Sequence, residues 1–404
     1  MLKRISVDQV RVGMYIQELC CSWFESPFWT ASFLLSNDAD LHKLLSSNVS
    51  EVWIDTAKGR DLDHDPDPGP ADEEATQDIV VPAETIKTQL PVGIREDLVR
   101  ARKIIHTSRD AVAAMFDDAR LGAMFDTDSA LSVVEEISAT VQRNLGAFLG
   151  LARIKQSDDY TYMHSVAVSA MMIGLARQLR MNADDIRDCG LAGLLHDIGK
   201  VAIPADILNK PGRLTDEEFL VVKKHPQAGY DLLSPVSGMP VAVLDVCLHH
   251  HERADGNGYP EHLDAAKLSV VARMGAICDV YDAITSNRPY KSGWSPAISL
   301  SKMATWAKEG HFDESIFQAF VECIGIYPVG TMVRLKSNRL AIVIDNSKSL
   351  LKPTIKVFFS IPTMAYTRPI MIDLAEPGTN DAIASIEDHE KWQIENLERF
   401  WVET

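Results

Sequence analysis

Histidine and aspartate recur in this chain at spacings that could bind metal ions. His196 is followed directly by Asp197, and Lys200 lies one helical turn further on. A second segment, from His249 to Pro260, has the sequence HHHERADGNGYP. Imidazole and carboxylate groups are ligands that first-row transition metals accept in proteins. Because the combination occurs twice, the two segments together predict a metal centre.

Further histidines and aspartates lie at helical spacings around these two segments. Asp279 and Asp282 are three residues apart in an otherwise apolar helical pattern, so they share one face of a helix. Two acids that face a protein core are costly unless a cation compensates their charge. His164 and His225 lie in or beside other apolar helical patterns, where either alone would be an ordinary structural residue.

The three consecutive histidines, His249 to His251, cannot all face one site. Neighbouring residues on a helix point about 100° apart, so we expect two of them to contribute at the point where a helix ends. The set then offers up to five imidazoles and two or three carboxylates from five helices. That composition suits two bridged ions of Fe, Mn, Zn or a similar metal, with Asp197 as the bridging ligand.

Two bridged ions predict a particular reaction. Ions about 3.5–4 Å apart can lower the pKa of a bridging water and stabilise both the attacking and the leaving oxygen at phosphorus. Lys200 would neutralise a phosphoryl oxygen. The expected chemistry is metal-assisted hydrolysis of a phosphoester.

The segments that must position these residues are predicted to form an all-α domain, because apolar residues recur there at helical spacing. A long helical stretch is expected over residues 96–156, followed by helices over Tyr162–Leu179, Asp184–Leu195, Asp216–Lys224, Val241–His250, Ser269–Thr285, Pro296–Lys308 and Glu314–Cys323. Asn182 is a predicted N-cap, and Thr215 with Glu218 a predicted capping box. We interpret Pro226 and Gly229 as stop signals, which places His225 at the end of the Asp216 helix.

Both ends of the chain carry β patterns. Residues 9–16 and 51–55 alternate like half-buried strands around a helical stretch at 37–47, and three alternating segments follow residue 328. We expect a multidomain, mainly α protein with a small N-terminal α/β unit and a small C-terminal β-rich extension. The expected domains are a regulatory or interaction unit at 1–62, an acidic Pro-rich linker at 63–95, a helical connector at 96–149, a catalytic domain at 150–327 and the extension at 328–404.

Composition limits the function classes. The chain has 404 residues, of which 46% are hydrophobic, as in soluble globular proteins. Its net charge of −17 offers no overall positive potential that would attract a long nucleic acid. No segment approaches the ~20 consecutive apolar residues that a membrane-spanning helix needs. Cys189, Cys247 and Cys278 lie in apolar helical patterns, which predicts free thiols. We expect a cytoplasmic protein without membrane insertion.

The order of these motifs resembles the HD-GYP family of bacterial phosphodiesterases, a branch of the HD metal-dependent hydrolases that cleaves the second messenger cyclic di-GMP. The motifs that carry the resemblance are His196–Asp197 with Gly199–Lys200, His225–Pro226, His250–His251–Glu252 with Gly258–Tyr259–Pro260, Asp279 with Asp282–Ala283, and Arg288–Pro289–Tyr290–Lys291. They span residues from roughly 150 to 330. The N-terminal unit also resembles a small domain of no established role that often precedes such modules.

The resemblance implies a role for each matching residue. The implied metal ligands are His164, His196, Asp197, His225, His250, His251 and Asp279. Asp197, Lys200 and Asp282 would be catalytic, the last two near the scissile phosphate, and the substrate would contact Gly258, Tyr259, Arg288 and Lys291. Arginine suits bidentate contact with a phosphate or a guanine edge, and lysine acts as a point charge. His249 falls outside the matching pair, and we expect it to be structural.

The resemblance also bears on the number of ions and on the reaction. Relatives that bind three metals carry a glutamate one turn before the residue matching His164, and here Tyr160 holds that place. We therefore expect two divalent transition-metal ions, Fe or Mn before Zn, Ni or Co, with Asp158 and Asp159 left open as substitute ligands. Cyclic di-GMP would be opened to linear pGpG, and a second cleavage to GMP is allowed.

Two alternatives to this enzyme stay open. One is a sensor that binds cyclic di-GMP with little turnover and signals through partners. The other is an HD-type hydrolase of a different nucleotide phosphoester. In each case we expect the N-terminal unit to contact a protein partner or a second copy of the chain.

Overall fold

The computed structural model describes two units of the chain. It covers residues 2–19, 33–35, 41, 44–45, 51–56, 58–60, 90, 92–123, 125–154, 160–210, 212–286, 293–346, 349, 351–389, 391–392, 394 and 397–402. Internal contacts divide the chain into Met1–Thr76 and Gln77–Thr404. The fold class is confirmed, because the chain is mainly helical, with a small N-terminal unit and a C-terminal sheet.

The first unit contains an antiparallel sheet in the order β1-β4-β2-β3. Its strands are β1 (Leu2–Ser6), β2 (Tyr15–Leu19), β3 (Phe33–Leu34) and β4 (Glu51–Asp55). The predicted strand over residues 9–16 is wrong for most of its length, because β2 begins only at Tyr15. Gly13 has a φ of +96° and its N–H donates to the Leu35 carbonyl, so the chain turns before the strand begins.

The second unit consists of helices followed by a sheet. Its described α-helices are α1 (Val92–Arg120), α2 (Thr127–Ala152), α3 (Tyr160–Gln178), α4 (Ala183–Leu195), α5 (Ala205–Leu208), α6 (Asp216–Val222), α7 (His225–Leu233), α8 (Val241–His249), α9 (Val270–Thr285), α10 (Pro296–Lys308) and α11 (Glu314–Ile324). The seven separately predicted helices are confirmed, with ends that differ by two residues or fewer. No helix in the described ranges is long and apolar enough to cross a membrane.

The predicted helix starts are confirmed, but one predicted end is wrong. The Asn182 side chain accepts a hydrogen bond from the Asp185 N–H, and Thr215 and Glu218 form the capping box. His225, however, begins α7 instead of ending α6. Pro226 lies in the first turn of α7, where its missing N–H removes no helical hydrogen bond. The proline that we interpreted as a stop therefore marks a start.

Small residues bring α3 and α4 close together. The Ser169 hydroxyl donates to the Gly190 carbonyl over 2.8 Å. A Cβ atom at Gly193 would lie 2.8 Å from the Ser169 Cα atom, closer than real Cβ contacts allow. These contacts set the distance between the helix that carries His164 and the helix that ends at His196.

A second close contact joins the 3₁₀ helix Ile198–Ala202 to α7. A Cβ atom at Gly199 would lie 2.0 Å from the His225 carbonyl oxygen and 2.4 Å from the Gly229 nitrogen. Gly229 lies inside α7, and a Cβ atom there would lie 2.5 Å from the Cys247 sulfur of α8. Gly199 therefore lets the 3₁₀ helix meet the backbone of α7, and Gly229 lets α7 pack against the Cys247 side chain of α8.

The C-terminal sheet is antiparallel, in the order β8-β7-β6-β5-β9. Its strands are β5 (Met332–Leu335), β6 (Arg339–Asp345), β7 (Thr354–Ser360), β8 (Ala365–Asp373) and β9 (Ile383–Ile386). The first three confirm the sequence prediction. The last two were not predicted, because they are half exposed and their side chains do not follow a clear alternation. Arg153, which caps α2, donates to the Val329 carbonyl just before β5.

We predict that Gly199→Ala destabilises the protein. The new methyl group would overlap the backbone of α7, and overpacking of a tight contact costs about 1–3 kcal/mol. For a domain of 150–250 residues, that loss lowers the melting temperature by about 2–4 °C per kcal/mol. Differential scanning calorimetry measures the change.

Gly93→Ala is the matched control for this substitution. Gly93 lies in α1, and an added Cβ atom there meets no atom within 4 Å. Its replacement by alanine should leave the melting temperature unchanged or raise it slightly. Equal effects of the two substitutions would contradict the contact assigned to Gly199.

Candidate metal centre

The predicted ligands come together from five elements of the second unit. They are His164 on α3, His196 and Asp197 after α4, His225 at the start of α7, His250 and His251 after α8, and Asp279 on α9. All except His251 are buried. Within the described residues, three groups have ligand atoms close enough to hold one ion: His164–His196–Asp279, His196–Asp197–His250 and His225–His250–His251.

The Asp197 carboxylate lies between two sets of histidines. Its Oδ2 atom is 3.5 Å from His164 Nε2 and 3.4 Å from His196 Nε2. Its Oδ1 atom is 3.3 Å from His225 Nε2 and 3.8 Å from His250 Nε2. Each carboxylate oxygen therefore faces a different pair of imidazoles.

The two sets are similarly compact. In the first set, His164 Nε2 is 3.2 Å from His196 Nε2 and 2.9 Å from Asp279 Oδ1. In the second set, His225 Nε2 is 3.2 Å from His250 Nε2, and the rings of His250 and His251 are 4.2 Å apart. His251 Nδ1 also lies 3.8 Å from Asp279 Oδ2.

Hydrogen bonds on the outer side of the rings orient four of these histidines. In each, Nδ1 donates to an oxygen on the outer side: His164 to Asp282 Oδ2, His196 to the Gly193 carbonyl, His225 to the Val222 carbonyl and His250 to the Val246 carbonyl, over 2.7–3.0 Å. With its hydrogen on Nδ1, a neutral imidazole points the lone pair of Nε2 inward. When all four rings are neutral, as metal binding requires, four lone pairs and the carboxylates of Asp197 and Asp279 converge on one small volume.

Convergent acceptors of this kind need positive charge between them. The buried Asp197 Oδ1 atom has no hydrogen-bond donor. A buried polar atom without a partner is costly, whereas a metal ion would satisfy it together with the facing Nε2 atoms. The arrangement therefore fits divalent metal ions, and the donor set of imidazole and carboxylate fits a transition metal.

The pKa values of the same groups follow from their surroundings. Burial alone would lower the pKa of His196, but the Asp197 and Asp279 carboxylates raise it to about 10. Burial and the neighbouring histidines lower the pKa of His250 well below its usual value, and burial lowers that of His251 to about 3. The pKa of Asp197 is depressed despite burial, because Lys200 and His196 lie beside it. His250 and His251 are therefore neutral imidazoles at neutral pH, the form that binds metals.

The centre opens to solvent on one side. The exposed side-chain fractions are 22% for Lys200, 15% for His251 and 10% for Asp279, whereas those of His196 and Asp197 are close to zero. Lys200 Nζ lies 2.5 Å from Asp197 Oδ2. A substrate would approach the ligands from this opening.

The loop that carries Gly-Tyr-Pro lies beside the opening. The Tyr259 ring stacks on His251, with ring centroids 4.7 Å apart. A Cβ atom at Gly258 would lie 2.4 Å from the Arg253 nitrogen, so only glycine fits there. The buried Glu252 accepts hydrogen bonds from the N–H groups of Glu261 and Leu263.

The structure places Asp282 and Tyr259 differently from the simplest expectation, and His249 away from the ligands, as expected. Asp282 contacts the outer nitrogen of His164 instead of facing the opening. Tyr259 is 9% exposed and packs on His251. His249 lies away from the ligands, with Nδ1 2.6 Å from Asp245 Oδ1 and Nε2 3.3 Å from Glu261 Oε2. Arg288, Lys291, Asp158 and Asp159 lie outside the described residues, and of Tyr160 only the backbone, at the start of α3, is described.

Two residues beside the site were missed by the sequence analysis. Glu252 follows the histidine pair directly, and its burial, unusual for an unpaired glutamate, comes from the two backbone N–H groups that it accepts. Lys223 lies over the Tyr259 ring, with Nζ 4.9 Å from the ring centroid. No sequence pattern distinguishes Lys223 from its neighbour Lys224, because both sit in a charged helix end.

Comparisons with known proteins match this chain to two domain families and to cyclic di-GMP phosphodiesterases. Residues 2–130 match a domain of unknown function, DUF3391, and residues 138–316 match the HD domain. The "Cyclic di-GMP phosphodiesterase PA4108" of Pseudomonas aeruginosa is 49% identical over 99% of this chain and 96% of its own length.

Two further relatives match over shorter ranges. The "Cyclic di-GMP phosphodiesterase response regulator RpfG" of Xanthomonas campestris is 40% identical over 36% of this chain and 39% of its own length. The "3'3'-cGAMP-specific phosphodiesterase 1" of Vibrio cholerae is 34% identical over 42% of this chain and 39% of its own length. Given the HD domain and the nearly full-length similarity to the Pseudomonas protein, the chain belongs to the HD-GYP family, the branch of HD hydrolases that contains the cyclic di-GMP phosphodiesterases.

Proposed function

We propose that this chain is a metal-dependent phosphodiesterase that hydrolyses cyclic di-GMP to linear pGpG in bacterial second-messenger signalling. The observation that carries the proposal is the buried Asp197 carboxylate, which faces two histidine sets with its two oxygens. Similarity to a cyclic di-GMP phosphodiesterase over 99% of the chain supports the choice of substrate.

The ligands would divide between two metal ions. His164, His196 and Asp279 would hold one ion and His225, His250 and His251 the other, with Asp197 between them as a shared ligand. Tyr160 at the place of a third-ion glutamate supports two ions instead of three, with Fe or Mn preferred. Bound there, the ions would supply Lewis-acid activation of water and of the phosphoryl group.

The protein's own residues would position the substrate and balance its charge. Lys200, at the opening and beside Asp197, would neutralise a phosphoryl oxygen. Asp282 would act through His164: its carboxylate holds the Nδ1–H and so directs Nε2 toward the ion. On the basis of the family motif, we assign Arg288 and Lys291 to contacts with the phosphates or guanines of the ligand.

The substrate assignment predicts a clear order of activities. Metal-loaded protein, purified under reducing conditions, should open cyclic di-GMP faster than 3'3'-cGAMP, linear pGpG or a phosphomonoester, as measured by chromatography of the products. Faster cleavage of 3'3'-cGAMP would instead group the chain with its Vibrio relative. Tight binding of cyclic di-GMP without hydrolysis under several metals would show a sensor.

The bridging role of Asp197 predicts a combined loss of metal and activity. Asp197→Asn removes the charge that both histidine sets face, and we expect hydrolysis to fall by more than about 100-fold with less metal bound per chain. Asp231→Asn is the matched control, since Asp231 is exposed on α7. Metal analysis and activity assays measure both effects. Full metal content in the Asp197 variant would contradict the assignment.

The raised pKa of His196 predicts proton release when metal binds. With a pKa of about 10, the ion-free imidazole is protonated at neutral pH, and an ion needs its Nε2 lone pair. Metal binding should therefore release a proton at neutral pH, and the affinity should weaken as the pH falls. Titration calorimetry in phosphate and in Tris should give different binding enthalpies.

His249 offers a control for this measurement. Its pKa is also raised, despite burial, by Asp245 and Glu261, but it lies away from the ligands. His249→Gln should therefore leave the difference between the two buffers unchanged. Equal enthalpies for the wild-type chain in both buffers would show that no proton leaves.

A further inference from the structure

Lys223 lies between two aromatic rings beside the opening of the candidate centre. Its Nζ atom is 4.9 Å from the ring centroid of Tyr259 and 5.1 Å from that of Phe219. Lys223 is the C-cap of α6, two residues before His225, and its side chain is half buried. The end of α6 and the Gly-Tyr-Pro loop therefore hold the ammonium group in place.

The Tyr259 ring connects this ammonium group to the centre. It stacks on His251, with an angle of 26° between the ring planes and 4.7 Å between their centroids. His251 is the most exposed of the histidines assigned to the ions. Lys223 is thus separated from the open side of the centre by one aromatic ring.

In the part of the chain that the structure describes, no carboxylate balances the charge of Lys223. Within the described ranges, no aspartate or glutamate lies within ion-pair distance of it, whereas Lys200 pairs with Asp197 and Lys210 with Glu218. Aromatic faces attract an ammonium group by only about 0.5–1 kcal/mol at exposed sites. A phosphate would bind it more strongly, through a charge-assisted hydrogen bond.

We propose that Lys223, seated on Tyr259, forms a second anion subsite that binds the non-scissile phosphate of the cyclic dinucleotide. This inference rests on the proposed function. A cyclic dinucleotide carries two phosphodiesters in one ring, so that when one is held at the centre, the other must lie at its rim. Lys200 and the ions serve the first phosphate, and Lys223 serves the second. Lys223 therefore contributes to the choice of a cyclic dinucleotide over a substrate with one phosphate.

The test compares two substrates that differ in the second phosphate. Cyclic di-GMP has two phosphodiesters, and bis(p-nitrophenyl) phosphate has one. In the full-length, metal-loaded chain, Lys223→Gln should lower kcat/KM for cyclic di-GMP about tenfold or more, mainly through KM, as expected for one hydrogen bond to a charged group. Hydrolysis of bis(p-nitrophenyl) phosphate should change by less than twofold.

Two variants make the result specific. Lys224→Gln removes the adjacent, exposed charge and should leave both substrates unaffected. Lys223→Arg keeps a cation over Tyr259 and should recover most of the KM for cyclic di-GMP. An equal fall for both substrates in Lys223→Gln would overturn the proposal, because Lys223 would then only support Tyr259 and His251. No change for either substrate would overturn it as well.

Equilibrium binding separates this inference from the proposed function. If the wild-type chain does not cleave cyclic di-GMP, the proposed function fails, but the affinity for cyclic di-GMP still tests the subsite. Lys223→Gln should weaken that binding about tenfold relative to Lys224→Gln. Equal affinities of the two variants would overturn the subsite, whatever the activity.

Discussion

The structure of the catalytic region depends on one buried carboxylate and the positive charge that it requires. Asp197 is almost fully buried, faces two pairs of Nε2 atoms and has one oxygen without a hydrogen-bond donor. A buried anion is costly unless it is paired or bound to metal. The Lys200 ammonium contacts Oδ2 and Oδ1 has no donor, while each oxygen also faces imidazole nitrogens that could share an ion with it. The five elements around Asp197 therefore support the proposed two-ion site.

These supports act mainly through the backbone. Three of the histidines donate Nδ1–H to main-chain carbonyls within four residues of themselves, so the helix ends orient the rings. Gly199 lets the turn after Asp197 touch the start of α7, where His225 lies. His164 is instead oriented by a distant side chain, Asp282 of α9. The positions of the ligands thus follow from close helix packing more than from side-chain contacts on the surface.

The sequence predicted the site best where metal-binding residue types occur at helical spacing. Three motifs predicted which helices must meet: the His-Asp pair, the His-His-Glu segment and the Asp279–Asp282 pair. The helix caps at Asn182 and Thr215 predicted where two of these helices begin. Pro226 misled because proline is compatible with both the end and the first turn of a helix. The roles of Glu252 and Lys223 depend on tertiary contacts with a loop and a ring, which periodicity cannot reveal.

The most direct test of the central claim is anomalous X-ray diffraction from crystals of metal-loaded protein, measured at the absorption edge of the bound metal. The account predicts two anomalous peaks per chain, one on each side of the Asp197 carboxylate, the first beside His164, His196 and Asp279 and the second beside His225, His250 and His251. A single peak, a third peak near Tyr160, or two peaks that do not share Asp197 would contradict it.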